Sequence, residues 1–186
     1  MKSMSGRQQG FTLIELVIVI IILGLLAATA LPRFLNVTEQ AENVSVEGTA
    51  GGFASAVGLV RAAWEVAGRP AGVAGVVNVD YDGIPVSVAT ANGFPAGGVT
   101  AANLTAAACQ TVLSSIFQQA PSSSTTAATA EELAEVSFYV RLATTPNRCV
   151  YHQTAGLTAA PTDEASSNGF TYNPVSGQVS SFLNKP

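Results

Sequence analysis

The sequence predicts an α+β fold, with one long N-terminal helix packed on a small antiparallel β-sheet domain. Three observations carry that prediction. Residues 16–28 contain nothing polar, and from Phe34 to Trp64 apolar residues recur mostly at three- and four-residue intervals. Beyond Pro70, short runs rich in Val, Ile, Tyr and Phe alternate with turn-forming Gly, Pro, Asn and Asp, the composition of strands and turns. The 186 residues suit one compact domain with a further segment, since domains typically hold roughly 100–200 residues.

The first element is Phe11 to Leu31, 21 residues with one charge, Glu15. At 1.5 Å per residue such a helix is about 30 Å long and matches the hydrocarbon thickness of a bilayer. It is a membrane-spanning candidate. Met1 to Gly10 is polar and basic, with Lys2 and Arg7 and no acid, and Arg33 follows the apolar run. The denser positive charge on the leader side predicts a cytoplasmic N terminus, with the body of the chain beyond the inner membrane. A carboxylate such as Glu15 costs roughly 2.5–3.5 kcal/mol at mid-bilayer and less near the interface. It therefore needs a compensating partner, or else a snorkelling position at the headgroups.

Pro32 lacks an N–H and clashes with the preceding turn, so the helix is expected to bend or loosen there. After it, Phe34, Val37, Ala41, Val44, Phe53, Val57, Val60 and Trp64 form an apolar stripe, while Glu39, Glu42, Glu47 and Arg61 take other angles. This is the pattern of an amphipathic helix, with Phe53 and Trp64 as its contacts to a sheet. Gly48, Gly51 and Gly52 each weaken it by about 1 kcal/mol relative to Ala, and Gly68 with Pro70 ends it.

Val76–Tyr81 and Ile84–Val88 flank Asp82-Gly83, a dipeptide suited to the positive φ angles of a type I′ turn. They predict a hairpin with Pro85 on an edge. Asn103 to Gln118 reads as a second, shorter helix carrying Cys109, and the Pro-Ser-Ser-Ser-Thr-Thr run at 121–126 reads as a mobile loop. Strands are expected at Val136–Ala143 and Arg148–His152, joined by Thr144–Asn147, and at Gly169–Tyr172 and Gln178–Leu183. The resulting boundaries are 1–10 for a leader, 11–31 for the membrane helix, 32–68 for its amphipathic continuation and 69–186 for an α+β head.

Several function classes find no support. The formal charge is −4, and no Lys/Arg cluster exists that could neutralise several neighbouring phosphates, which argues against nucleic-acid binding. Cys109 and Cys149 lack CxxC spacing, and His152 is the single histidine, so no zinc set is expected and no cofactor is implied. There is no nucleophile-elbow, phosphate-loop or zinc-protease motif, and the chain is read as no enzyme. His152 beside Tyr151 reads as structural, and Tyr172 as an aromatic that packs at a strand end. In an oxidising compartment Cys109 and Cys149 would form one disulfide, the alternative being two buried free thiols. A bridge closing about 40 residues would contribute about 4 kcal/mol on the chain-entropy account.

Gly10-Phe11-Thr12-Leu13-Ile14-Glu15 resembles the prepilin processing motif of type IVa pilins and type II secretion pseudopilins. The resemblance implies cleavage between Gly10 and Phe11 by a prepilin peptidase, N-methylation of Phe11 and an assembly role for Glu15. Pro32 falls where many type IV pilins have a helix-kinking proline. Cleavage would remove two of the eight basic residues and none of the twelve acids, a net charge of −6. The new α-amino group, with a reference pKa of about 7.7–8.0, would stand one helical turn from Glu15. A stagger between identical helices would let Glu15 of one subunit meet the amine of another.

Leu31-Pro32-Arg33-Phe34-Leu35-Asn36-Val37 and the stretch Gly51 to Arg61 further resemble the MSHA (mannose-sensitive haemagglutinin) pilin group, most of all its MshB-type minor pilins. This implies a type IV pilin-like fold and a structural, minor subunit of an MSHA-type pilus that supports surface attachment. Its partners would be prepilin peptidase, other pilin subunits and the inner membrane. It would start as a single-pass inner-membrane precursor with a periplasmic C-terminal domain and end in an extracellular pilus. The alternative is a pseudopilin of a type II secretion system, in a short periplasmic filament. Against that, Asp163-Glu164 alone is too small a counterpart of the acidic calcium loop of those proteins, since calcium takes about six to eight oxygens.

Overall fold

The computed structural model describes residues 11–185, with the side chains of Pro32, Leu35 and Asn36 outside the description. The chain divides into two compact units, residues 1–41 and 42–186. Helix α1 covers Leu13–Val66, 54 residues. Its helical assignment includes Pro32, while the expected bend there falls on a side chain outside the described residues. Gly10 and the rest of the leader lie outside them too.

In the first unit the apolar stretch Leu13–Leu31 has a mean hydropathy of 2.8 and none of its residues is buried. In the second, Val46, Ala50, Phe53, Val57, Val60 and Trp64 of α1 are buried. Their 4-3-4-3-4 spacing keeps one stripe facing the core at about 100° per residue. The expected stripe was drawn partly in the wrong phase, because Val44 is 66% exposed whereas Val46 and Ala50 are buried. Nine residues separate Val44 from Phe53, which is about 180° around the helix. Phe34 and Val37 are exposed as well.

A Schellman motif closes α1: Arg69 N–H donates to Trp64 O and Gly68 N–H to Glu65 O, each at 3.0 Å. Gly68 supplies the left-handed residue, at φ 78°, that such a stop requires. Next, β1 (Val76–Tyr81) and β2 (Ile84–Ala89) pair antiparallel. The turn residues Asp82 and Gly83 lie at φ 54° and 80°, the two positive angles of a type I′ turn.

A 3₁₀ turn (Ala101–Asn103) precedes α2 (Ala106–Ile116). The helix is shorter than expected at both ends, since Thr105 caps it by accepting from Ala108 N–H at 3.1 Å. The 121–126 segment is more than a loop. Ser123–Ser124 form β3, which lies parallel to β4 (Phe138–Thr144), and Gln110 Nε2 donates to Ser123 O at 2.7 Å. Helix α3 (Ala130–Ala134), unanticipated, is set by a capping box between Thr129 and Glu132. Strands β5 (Asn147–Gln153), β6 (Asn168–Tyr172) and β7 (Val179–Leu183) complete an antiparallel run, giving the order β3-β4-β5-β6-β7. The architecture is α+β, as predicted.

Phe53 is the centre of the core. Its ring lies 5.1 Å from Tyr172, 5.2 Å from Phe170 and 5.4 Å from Tyr151, centroid to centroid. Such tilted aromatic pairs add about 0.5–1.5 kcal/mol beyond the area they bury. Tyr172, read from the sequence as an aromatic that packs at a strand end, is fully buried, and its hydroxyl donates to Pro95 O at 2.9 Å.

Candidate functional site

The candidate site is the start and exposed flank of α1. Phe11 and Thr12 precede the helix, and Phe11 is 87% exposed. Thr12 N–H and Thr12 Oγ1 both donate to Glu15 Oε2, at 2.8 and 2.7 Å. Glu15 N–H in turn donates to Thr12 Oγ1 at 3.3 Å. This is a reciprocal capping box. Glu15 is thus hydrogen-bonded within its own turn, its Oε2 accepting from both the backbone N–H and the hydroxyl of Thr12. The signal was readable in Thr12-Leu13-Ile14-Glu15, a threonine followed three residues later by glutamate.

From Leu13 the helix presents 19 predominantly apolar residues, Leu13–Leu31, none of them buried. At 1.5 Å per residue they extend about 28 Å, enough to cross a hydrocarbon layer. A soluble core helix would bury such a surface. An exposed apolar surface of this size is suited to lipid or to other apolar helices. Among the described residues it is the one helix long and apolar enough to span a membrane.

The other singled-out residues lie in the second unit, away from any shared chemistry. Cys109 on α2 and Cys149 on β5 are joined, with 2.00 Å between sulfurs and 5.4 Å between Cα atoms, and both are fully buried. Tyr151 Oη donates to the carbonyl of Cys109 at 2.8 Å, so the same helix is held to β5 twice. His152 is buried. Its Nε2 accepts from Arg141 Nε at 2.9 Å, and Nδ1 lies 2.8 Å from Ser167 Oγ. An Nε2 that accepts must be unprotonated, so the ring is neutral with its proton on Nδ1, donated to Ser167. Burial and the neighbouring Arg141 guanidinium hold its pKa down at about 3. With no solvent access and both nitrogens engaged, this imidazole has no free position for a substrate or metal in the folded head. Among the described residues no group of three or more His, Cys, Asp or Glu side chains is placed to hold a metal ion.

A capped helix start with an early carboxylate, followed by a bare apolar flank long enough to cross a membrane, marks this as an α+β protein with an exposed apolar N-terminal helix. Comparison with known proteins narrows this class. Residues 5–31 match the family described as Prokaryotic N-terminal methylation motif. The chain is similar to the type IV narrow pilus major component PilA5 of Thermus thermophilus, 51% identical over 53 residues, which cover 28% of this chain and 46% of that protein. It is also similar to the fimbrial protein EcpC of Eikenella corrodens, 40% identical over 90 residues, which cover 46% of this chain and 59% of that protein. The chain thus spans about half the length of the curated relatives it matches. No solved structure matches. The likeness to these pilus and fimbrial proteins is partial and includes the N-terminal motif at residues 5–31.

Proposed function

We propose that this protein is a structural subunit of a type IV pilus-type fibre, assembled through α1. The observation that carries this reading is the coincidence of the N-terminal methylation motif at residues 5–31 with the bare apolar surface of Leu13–Leu31. A prepilin peptidase cuts between Gly10 and Phe11 and methylates the new N terminus. The precursor waits in the inner membrane with its head in the periplasm, and subunits then bundle their apolar helices into the fibre core. Glu15 sets the register: in a staggered bundle its carboxylate exchanges Thr12 for the Phe11 amine of a neighbouring subunit. Pro32 relaxes the helix as it leaves the bilayer, and the head forms the outer surface. The finer assignment, a minor subunit of an MSHA-type pilus for surface attachment, rests on the likeness of residues 31–37 and 51–61 to that group.

The test is direct. Mass spectrometry of the cellular protein should find Phe11 as an N-methylated first residue, and a retained Met1–Gly10 would overturn the proposal. Glu15→Val should insert and be cut yet fail to enter fibres. Deleting the gene should impair piliation and adhesion. Normal piliation with failed protein secretion would point instead to a type II secretion pseudopilin.

A further inference from the structure

The His152 cluster does more than fill the core, because of what it fastens. The segment between β5 and β6, residues 154–167, is tied down at its far end by Ser167 to His152 Nδ1. Glu164 Oε1 sits 2.9 Å from Arg148 and 3.5 Å from Arg141. At its near end Lys185 Nζ donates to Ala155 O at 2.9 Å and to Glu42 Oε2 at 2.5 Å. This segment also lines two surface cavities of about 530 Å³ each, one walled partly by Phe138 and Gln153, the other by Asp163 and Ser166.

The groups around His152 are Arg141 and Tyr139 from β4, Phe182 from β7, and Ser167 and Asp163 from the segment itself. Arg141 is the decisive neighbour. Its Nε–H already occupies Nε2, so protonating that nitrogen destroys the hydrogen bond and sets two cations face to face in a buried site. Glu164 is already shared by two guanidinium groups, and Asp163 acts on the ring only through space. The imidazole can accept a proton only by leaving its pocket.

We propose that His152 is an acid-release latch for the 154–167 segment: neutral, it pins Ser167 against β5; protonated, it leaves the pocket and lets the segment and its two cavities rearrange. The sign follows from linkage. A His whose folded pKa is depressed, here to about 3 from 6.5, stabilises the closed form fully above pH 6.5 and loses that contribution as pH falls toward 3. With an ordinary histidine pKa in the open form, opening becomes about 25-fold more favourable between pH 7 and pH 5.

The test is native-state amide hydrogen exchange on the full-length protein in detergent, corrected for intrinsic rates, at pH 7 and pH 5. Amides of residues 155–168 should lose about 25-fold protection, while those of the β1–β2 hairpin keep theirs. His152→Gln, which still accepts from Arg141 but cannot titrate, should remove the acid dependence. Unchanged wild-type protection would overturn the latch. So would an equal acid response in His152→Gln, which would assign it to Asp163 or Glu164. Should that variant fail to fold, imidazole ¹⁵N spectra of the wild type decide: the latch requires a neutral, Nδ1-protonated ring while the segment is protected. A ring titrating near pH 6.5 under a protected segment refutes it.

Discussion

Phe53 on α1 meets Tyr172 on β6 edge-on, with ring centroids 5.1 Å apart and planes at 63°. This contact ties the helix to the sheet. Phe53→Ala empties the centre of the aromatic cluster and should destabilise the head by about 3–5 kcal/mol. Leu59→Ala, on a residue 57% exposed, should change stability by less than about 0.5 kcal/mol. Chemical denaturation of both variants in the same detergent checks the contrast, and equal losses would contradict the assignment of the buried face.

The buried tyrosines give a pH prediction at the alkaline end. Burial raises the pKa of Tyr151 well above its ordinary value, with the Tyr172 hydroxyl adding to it, and burial alone raises that of Tyr172. An acid whose folded pKa is raised binds its proton more tightly when folded, so its contribution is complete below the unfolded pKa of about 10 and is lost above it. The head should therefore lose stability as pH rises past about 10, and tyrosinate absorbance from these two residues should appear only with unfolding. Ionisation of all four tyrosines in a folded protein would refute this.

The Cys109–Cys149 bridge closes a separation of 40 residues and is buried. Alkylation of the native, unreduced protein should label no thiol. A Cys109→Ser, Cys149→Ser double variant should lose about 4 kcal/mol, read as a lower denaturation midpoint with little change in slope.

Two glycines should respond to alanine with opposite signs. Gly93 lies at φ 74°, and a Cβ there would stand 2.2 Å from the Trp64 ring. Gly93→Ala should cost at least about 1–3 kcal/mol from backbone strain alone. Gly48 is helical and exposed, and a Cβ there meets nothing within 4 Å. Gly48→Ala should stabilise the isolated subunit by about 0.5–1 kcal/mol. Thermal unfolding of the pair distinguishes a conformational requirement from a merely tolerated glycine.

Local chemistry made much of this protein legible from the sequence by itself. The length and apolar composition of the Phe11–Leu31 run specify a helix long and apolar enough to cross a membrane. Gly68 stops α1, and Asp82-Gly83 turns the hairpin, because positive φ angles are a property of those residues. The sequence also carries the threonine-to-glutamate spacing of two capping boxes, Thr12 with Glu15 and Thr129 with Glu132. What only the tertiary structure decided depends on groups far apart in the chain. The phase of the α1 stripe is one case: Val46 and Ala50 rather than Val44 are buried, and the glycine-rich stretch that follows has too few large side chains to show it. The pairing of Ser123–Ser124 with β4 is another, since serines carry no strand signature and a neighbouring edge supplied the hydrogen bonds. The surroundings of His152 are the third, because Arg141, Glu164 and Ser167 come together only when β4, β5 and the following segment fold against one another.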